Sequence, residues 1–161
     1  MSSKPLNKAL LVSVLTFAFA VAFHAISFAL AITDIGTHQP DGTILAGFSA
    51  ETGKPIFAMP ADADVTMNFN DTPAYVAKLN QQKALGHDDW RVPTKTELNV
   101  LFQNNDKGAL KGTFNVTGSD SAGWYWSSTP SGDTAAYQQR FKDGLQDFNG
   151  RLRTSSVRCV R

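Results

Sequence analysis

Cysteine is almost missing from this chain: Cys159 is the only one in 161 residues. That excludes a disulfide within one chain, and with it the stapled framework of many small secreted domains. Histidine is scarce too, at His24, His38 and His87, which gives a His-centred triad or a zinc site little to draw on. His87-Asp88-Asp89 cannot readily converge on one ion and reads as a charge-paired turn. There is no P-loop, no G-x-G-x-x-G, no G-x-S-x-G and no H-E-x-x-H. Carboxylates adjacent on a turn, such as Asp88 and Asp89, do not flank a glycosidic bond. The sequence predicts no catalytic residue, no metal ligand and no cofactor.

Charge is absent from another stretch. Met1 to Lys8 holds two lysines, and Ala9 to Ala31 then runs 23 residues without a charge. Two fates are open to this segment. A secretory signal has a basic start, an apolar centre and a small-residue cleavage site, and Ala29-Leu30-Ala31 supplies the site. A membrane anchor needs about 20 apolar residues, and residues 9–31 are long enough. Either way residues 1–31 send the domain at 32–161 out of the cytosol, to the periplasm, the cell surface or the medium. Removing Lys4 and Lys8 from the 15 basic residues leaves 13 against 14 acidic ones. Bulk charge therefore does not mark a nucleic-acid binder, and contact with a membrane is expected only through residues 9–31 if they are uncleaved.

The most structured stretch is Trp90-Arg91-Val92-Pro93-Thr94-Lys95-Thr96-Glu97-Leu98. Thr94 and Glu97 fit a capping box, and Pro93 holds the entry extended. Leu98, Leu101 and Phe102 then fall at helical spacing. An extended entry puts Trp90 and Val92 on one side, packed over that helix. Upstream, Thr43–Ala50 and Pro55–Met59 read as a hairpin around Gly53, with Gln39-Pro40-Asp41-Gly42 as a turn. Asp71 or Thr72 caps a second helix with Pro73 at its first position. Val76, Ala77, Leu79 and Leu85 make its apolar stripe, and Gly86 ends it. Residues 104–121, rich in Asn, Gly, Lys, Ser and Asp, read as a long surface loop. The remainder reads as antiparallel strands. Ala136–Phe141 meets Leu145–Phe148 across Asp143-Gly144, which in turn meets Leu152 onward across Asn149-Gly150. The fold class is α+β: two short helices packed on antiparallel strands and hairpins, with a long surface loop.

Several blocks carry a resemblance. Trp90-Arg91-Val92-Pro93-Thr94 with Glu97-Leu98, Gly123-Trp124-Tyr125-Trp126-Ser127-Ser128-Thr129 and Val157-Arg158-Cys159-Val160-Arg161 resemble blocks of the Lcl C-terminal domain family. Residues 42–63 are similar to the N-terminal hairpin of some of its members. The resemblance implies a C-type-lectin-like fold, distantly shared with formylglycine-generating enzymes, and it implies no reaction. Those enzymes depend on more than one cysteine.

Each singled-out residue has a plain role and a sharper one. Arg91 either lies against an aromatic ring and pairs with a carboxylate, or holds an anionic ligand by its fork. Trp90 reads as core rather than a ligand contact, and at least one of Trp124 and Trp126 reads as core, with an aromatic sugar platform as the alternative for that strand. Cys159 reads as a small buried side chain on the last strand, the alternatives being an intermolecular disulfide or a reactive thiol. The framework residues are then Trp90, Arg91, Pro93, Thr94, Glu97, Trp124, Trp126 and Cys159. From Arg140 onward six basic residues face two acids, Asp143 and Asp147. Arg140 with Lys142, and Arg151 with Arg153, alternate onto single faces, and coincidence of those faces would build a ligand site for a polyanion such as a sulfated polysaccharide. Charge guarding a strand edge is the alternative. The expected function is an exported, non-catalytic binding module, its partner an extracellular glycan, a polyanion or a protein. A structural component of a surface or fibre, and an enzyme akin to the formylglycine-generating group, are the competing classes.

Overall fold

Val157, Arg158, Cys159 and Val160 are all buried, so the chain's last segment is covered on both sides. The expected last strand stops at Ser155; beyond it the segment is held by isolated bridges at Ser156 and Val160 rather than a continuous ladder, and its side chains divide between two clusters. Val157 and Cys159 enter one apolar cluster with Trp90, Val92, Trp126 and Ala136. Val160 enters the other, with Ile44, Ile56, Leu98, Leu101, Tyr125 and Phe141. The segment is stitched to three parts of the chain. Arg161 exchanges backbone hydrogen bonds with Phe57, Val160 exchanges them with Arg91, and Ser156 bonds Trp124 and Trp126. A terminus rich in small β-branched residues thus serves as a central seam.

The structure, a computed structural model, describes residues 34–161, of which Ile35–Arg161 forms one compact unit. The signal-or-anchor reading of residues 1–31 lies outside the described residues. The architecture is α+β. Strands β1 (Ile44–Phe48) and β2 (Pro55–Ala58) form the expected hairpin, and β3 (Met67–Asn68) pairs antiparallel with β7 (Thr154–Ser155). Strands β4 (Trp124–Ser131), β5 (Ala135–Arg140) and β6 (Gln146–Gly150) make a three-stranded antiparallel sheet. Helices α1 (Thr72–Gln81) and α2 (Lys95–Gln103) complete it. Helix α2 comes close to β1 because Gly47, at φ +145, has no Cβ where Val100 Cγ1 and Asn104 Nδ2 lie 2.5 and 2.9 Å from the place one would occupy.

Four local expectations need correction. Trp90 and Val92 pack with Val76, Leu79 and Ala84 on the α1 side, not over α2, whose Leu98 and Leu101 face the other cluster. The Arg91–Val160 bridge fixes the turn of the extended entry and sets which way its side chains point. Helix α1 ends at Gln81, with Lys83 and Leu85 at positive φ before Gly86; Gly86 closes a short 3-10 turn, Ala84–Gly86, instead. Asp71 makes no side-chain cap to α1, while Asn68 caps the 3-10 turn Phe69–Asp71 that leads into it. Asn149-Gly150 is not a hairpin turn: Ala135 pairs with Gly150 and Thr134 takes the Arg151 N–H, so β5 carries the ladder past it. The chain beyond then leaves the sheet, and β7 joins β3.

The 104–121 stretch has only a 3-10 turn at Gly108–Leu110 for regular structure, yet it is pinned. Leu110 and Phe114 are buried, Thr113 accepts from Arg158, and the Asn115 N–H donates to the Tyr125 hydroxyl.

Candidate functional site

Hydrogen bonds fix the corner at Val92-Pro93-Thr94 on both sides. The Thr94 hydroxyl accepts the Glu97 N–H at 3.2 Å while Glu97 accepts the Thr94 N–H at 2.9 Å, which completes the capping box. The Pro93 carbonyl accepts the Ser128 N–H at 2.8 Å, fixing the corner to β4. Between this corner and the first turn of α1 lies a cleft of about 530 Å³. Phe69, Pro73, Val76 and Val92 supply its apolar surface, and Arg91, Glu97 and Ser128 its polar wall.

Arg91 and Glu97 form a bidentate pair, Nη1 to Oε2 at 2.5 Å and Nη2 to Oε1 at 2.7 Å. The two ends of the pair differ in exposure. Glu97's side chain is 6% exposed, but that of Arg91 is 44% exposed. Burial alone would raise the Glu97 carboxyl, but the Arg91 fork and the Thr94 N–H outweigh it and hold the group below its ordinary value. The bonds to Glu97 raise Arg91 further still. The Arg91 side chain is therefore not buried against an aromatic ring as one of its two readings had it; it pairs with a carboxylate and stands in a cleft wall.

The other framework residues fall as follows. Trp90 is 2% exposed, donates its indole N–H to the Ala84 carbonyl at 2.8 Å, and is clamped by Asn80 through both its backbone groups. Trp126 is fully buried and donates to the Met67 carbonyl. Trp124 is half-buried with the Arg140 guanidinium 5.2 Å from its ring centre. Cys159 is buried, and burial pushes its thiol up to about 12, far from a reactive thiolate.

The four basic residues do not converge. Arg140 stands at the end of β5 and binds Asp143 through two bonds. Arg151 stands at the other end, donating to the carbonyls of Ala135 and Gly132, about 17 Å away by strand rise. Lys142 lies against Gly118, and Arg153 lines a separate small cleft with Asp120 and Ser121. Two more cations of that stretch are engaged elsewhere: Arg161 with Asp89, and fully buried Arg158 with Asp62. His87 pairs with Asp41 across the surface at 2.8 Å, not with its neighbouring aspartates. Among the described residues no group of three or more His, Cys, Asp or Glu could hold a metal ion, and no helix is long and apolar enough to cross a membrane.

Sequence reasoning missed the cleft's far wall. Pro73 and Val76 read correctly as helix residues, but nothing in their spacing tells which apolar side chains stay uncovered. The Asn80–Trp90 clamp and the Asp62–Arg158 pair join residues 10 and 96 positions apart, and no local pattern encodes the second. Residues 49–161 match the family model described as the Lcl C-terminal domain. No curated protein matches the chain.

Proposed function

The chain belongs to the Lcl C-terminal domain family, and from that premise we propose that it is an exported, non-catalytic binding module. Its ligand is an uncharged face of an extracellular glycan, held in the cleft between α1 and the Trp90–Thr94 corner. One observation carries this reading. The cleft combines apolar side chains from Phe69, Pro73, Val76 and Val92 with a half-exposed guanidinium whose charge Glu97 neutralises. Carbohydrate sites commonly need an apolar platform beside fixed polar groups. The placement of Arg140, Lys142, Arg151 and Arg153 gives less support to a polyanion, because no single face gathers them. Buried Cys159, with its raised thiol, supports a non-catalytic role over formylglycine-type chemistry. The antiparallel strands, two helices and long pinned loop are consistent with a C-type-lectin-like fold. We place the domain outside the cytosol, with residues 1–31 as a cleaved signal or a retained anchor; N-terminal sequencing of the exported protein distinguishes the two.

A glycan array probed with the full chain, with and without calcium, tests the proposal. Binding to uncharged glycans, independent of calcium and weakened by Arg91→Lys, is the expected result. Retention of sulfated glycans alone, abolished by about 200 mM salt, would transfer the site to the basic residues instead.

A further inference from the structure

The hydrogen-bonding groups of the cleft wall are unequal in what they offer a ligand. The Thr72 hydroxyl donates to the Phe69 carbonyl at 2.9 Å, and the Ser128 hydroxyl donates to the Pro93 carbonyl at 3.3 Å. The Thr94 hydroxyl already accepts the Glu97 N–H and lies 3.3 Å from the Thr96 hydroxyl. Glu97 accepts from Arg91 at both oxygens and from the Thr94 N–H, and its side chain is 6% exposed. No carboxylate oxygen faces a ligand. Arg91 differs. A guanidinium carries five N–H groups, two of them go to Glu97, and the other three belong to a side chain that is 44% exposed. The Thr72 and Ser128 hydroxyls have spent their protons and keep only acceptor lone pairs, so Arg91 is the wall's main donor; it is neutral as a pair with Glu97 and adjoins the apolar side chains of Val76, Val92 and Pro73.

We propose that this cleft is an acetamido subsite, taking the N-acetyl group of a 2-acetamido sugar, with the carbonyl oxygen on the free N–H groups of Arg91 and the methyl on Val76, Val92 and Pro73. A bare hydroxyl can pair with Arg91 and with the Thr72 and Ser128 oxygens, but it leaves the apolar side chains of the cleft uncovered. A carboxylate or sulfate meets a guanidinium that Glu97 already neutralises and an apolar surface that disfavours its charge. An amide carbonyl flanked by a methyl satisfies both halves at once. This inference rests on the glycan-binding reading of the same cleft.

Titration calorimetry and saturation-transfer NMR on the full chain test it, using the β-1,4 tetramers of N-acetylglucosamine, glucosamine and glucose as probes. The N-acetylated tetramer is expected to bind at least tenfold tighter than either of the others, with the acetyl methyl receiving the strongest saturation. Val76→Asp is expected to weaken it at least tenfold. Pro73→Asp weakens it severalfold while retaining the fold, because Pro73 is exposed and an acid suits a helix's first turn. Equal affinity for the N-acetylated and the glucose tetramers overturns the inference. If neither binds but another uncharged glycan does, and Pro73→Asp weakens that glycan, the acetamido assignment falls while the proposed function stands. If no glycan binds at all, both fall.

Discussion

Replacing Arg158 is expected to damage the fold more than any change at the cleft. Its side chain is 0% exposed and serves four acceptor atoms: Asp62 Oδ1 at 2.6 Å, the Met59 carbonyl at 3.0 Å, the Thr113 hydroxyl at 3.3 Å and the Thr113 carbonyl at 2.5 Å. It also stacks 4.1 Å from the Phe114 ring centre. Arg158→Met keeps most of the apolar stem and removes every donor. The lost charge-assisted bond to Asp62 costs about 1.5–3 kcal/mol, and each of the two carbonyls left short of a donor costs roughly 1 kcal/mol. The total of about 4 kcal/mol lies within the range for breaking a buried ion pair by removing one partner. Arg158→Lys retains the charge but reaches fewer acceptors, so it should lose about 2 kcal/mol. Asp62 is 22% exposed on its side chain and also accepts the Tyr125 hydroxyl at 2.6 Å, so Asp62→Asn should be the mildest. Urea denaturation of the full chain, followed by tryptophan fluorescence, measures all three, and the Asp62→Asn, Arg158→Met double variant closes a cycle. A coupling energy below about 0.5 kcal/mol, or an Arg158→Met loss below about 1 kcal/mol, would refute the view of this network as a fastening between the seam and the 104–121 loop.

Glu97 gives a pH prediction. Its carboxyl is held below the ordinary value of 4.5 in the folded chain, so the unfolded state binds more protons in that window. Stability is therefore complete above about pH 5 and falls as the pH drops through the folded value. Glu97→Gln should flatten that loss in denaturation curves taken between about pH 5 and 3. The edge of β6 gives another. The outward Phe148 and Gly150 N–H groups donate to the preceding Asp147 and Asn149 side chains, at 2.8 and 2.9 Å, which masks an edge next to a Phe148 that is 59% exposed. Asp147→Ala with Asn149→Ala should give concentration-dependent association by light scattering. Finally, native Cys159 should resist iodoacetamide at pH 8 and react only on unfolding, as mass spectrometry would show.

How much was legible in the sequence depends on the range of the interaction. The Thr94–Glu97 box, Pro73 at the start of α1 and the β1–β2 hairpin are local, and spacing alone located them. The Asn149-Gly150 turn failed because its chemistry is permissive: the pair tolerates a hairpin but does not compel one, and β5 offered a longer ladder. In sequence Arg158 is one of six basic residues from Arg140 onward, and only the tertiary position of Asp62 makes it an interior ion-pair residue. The expected ligand site relied on alternation within each short stretch, but Lys142, Arg151 and Arg153 lie in turns and bends, where side chains do not alternate as in a strand. What alternation could not supply was the offset between the stretches, since Arg140 and Arg151 fall at opposite ends of one strand.

Arg91 shows why framework and recognition need not be separate sets of residues. An arginine in a signature corner invites a structural reading, and its bidentate bond to Glu97 supports one. Yet a fork uses only two of the donors on the guanidinium, and the corner that Pro93 and Thr94 impose leaves the outer side of the group in a cleft. The same bond that fastens α2 to the seam also orients the remaining donors and cancels the charge behind them. A loop residue could present donors too, but it would lose more side-chain entropy on binding. Arg91→Lys separates the two roles. A single ammonium can still pair with Glu97 and keep the corner, so stability should change by about 1 kcal/mol or less, while ligand binding should fall at least tenfold. Equal losses in both measurements would mean that the residue holds the corner and nothing else.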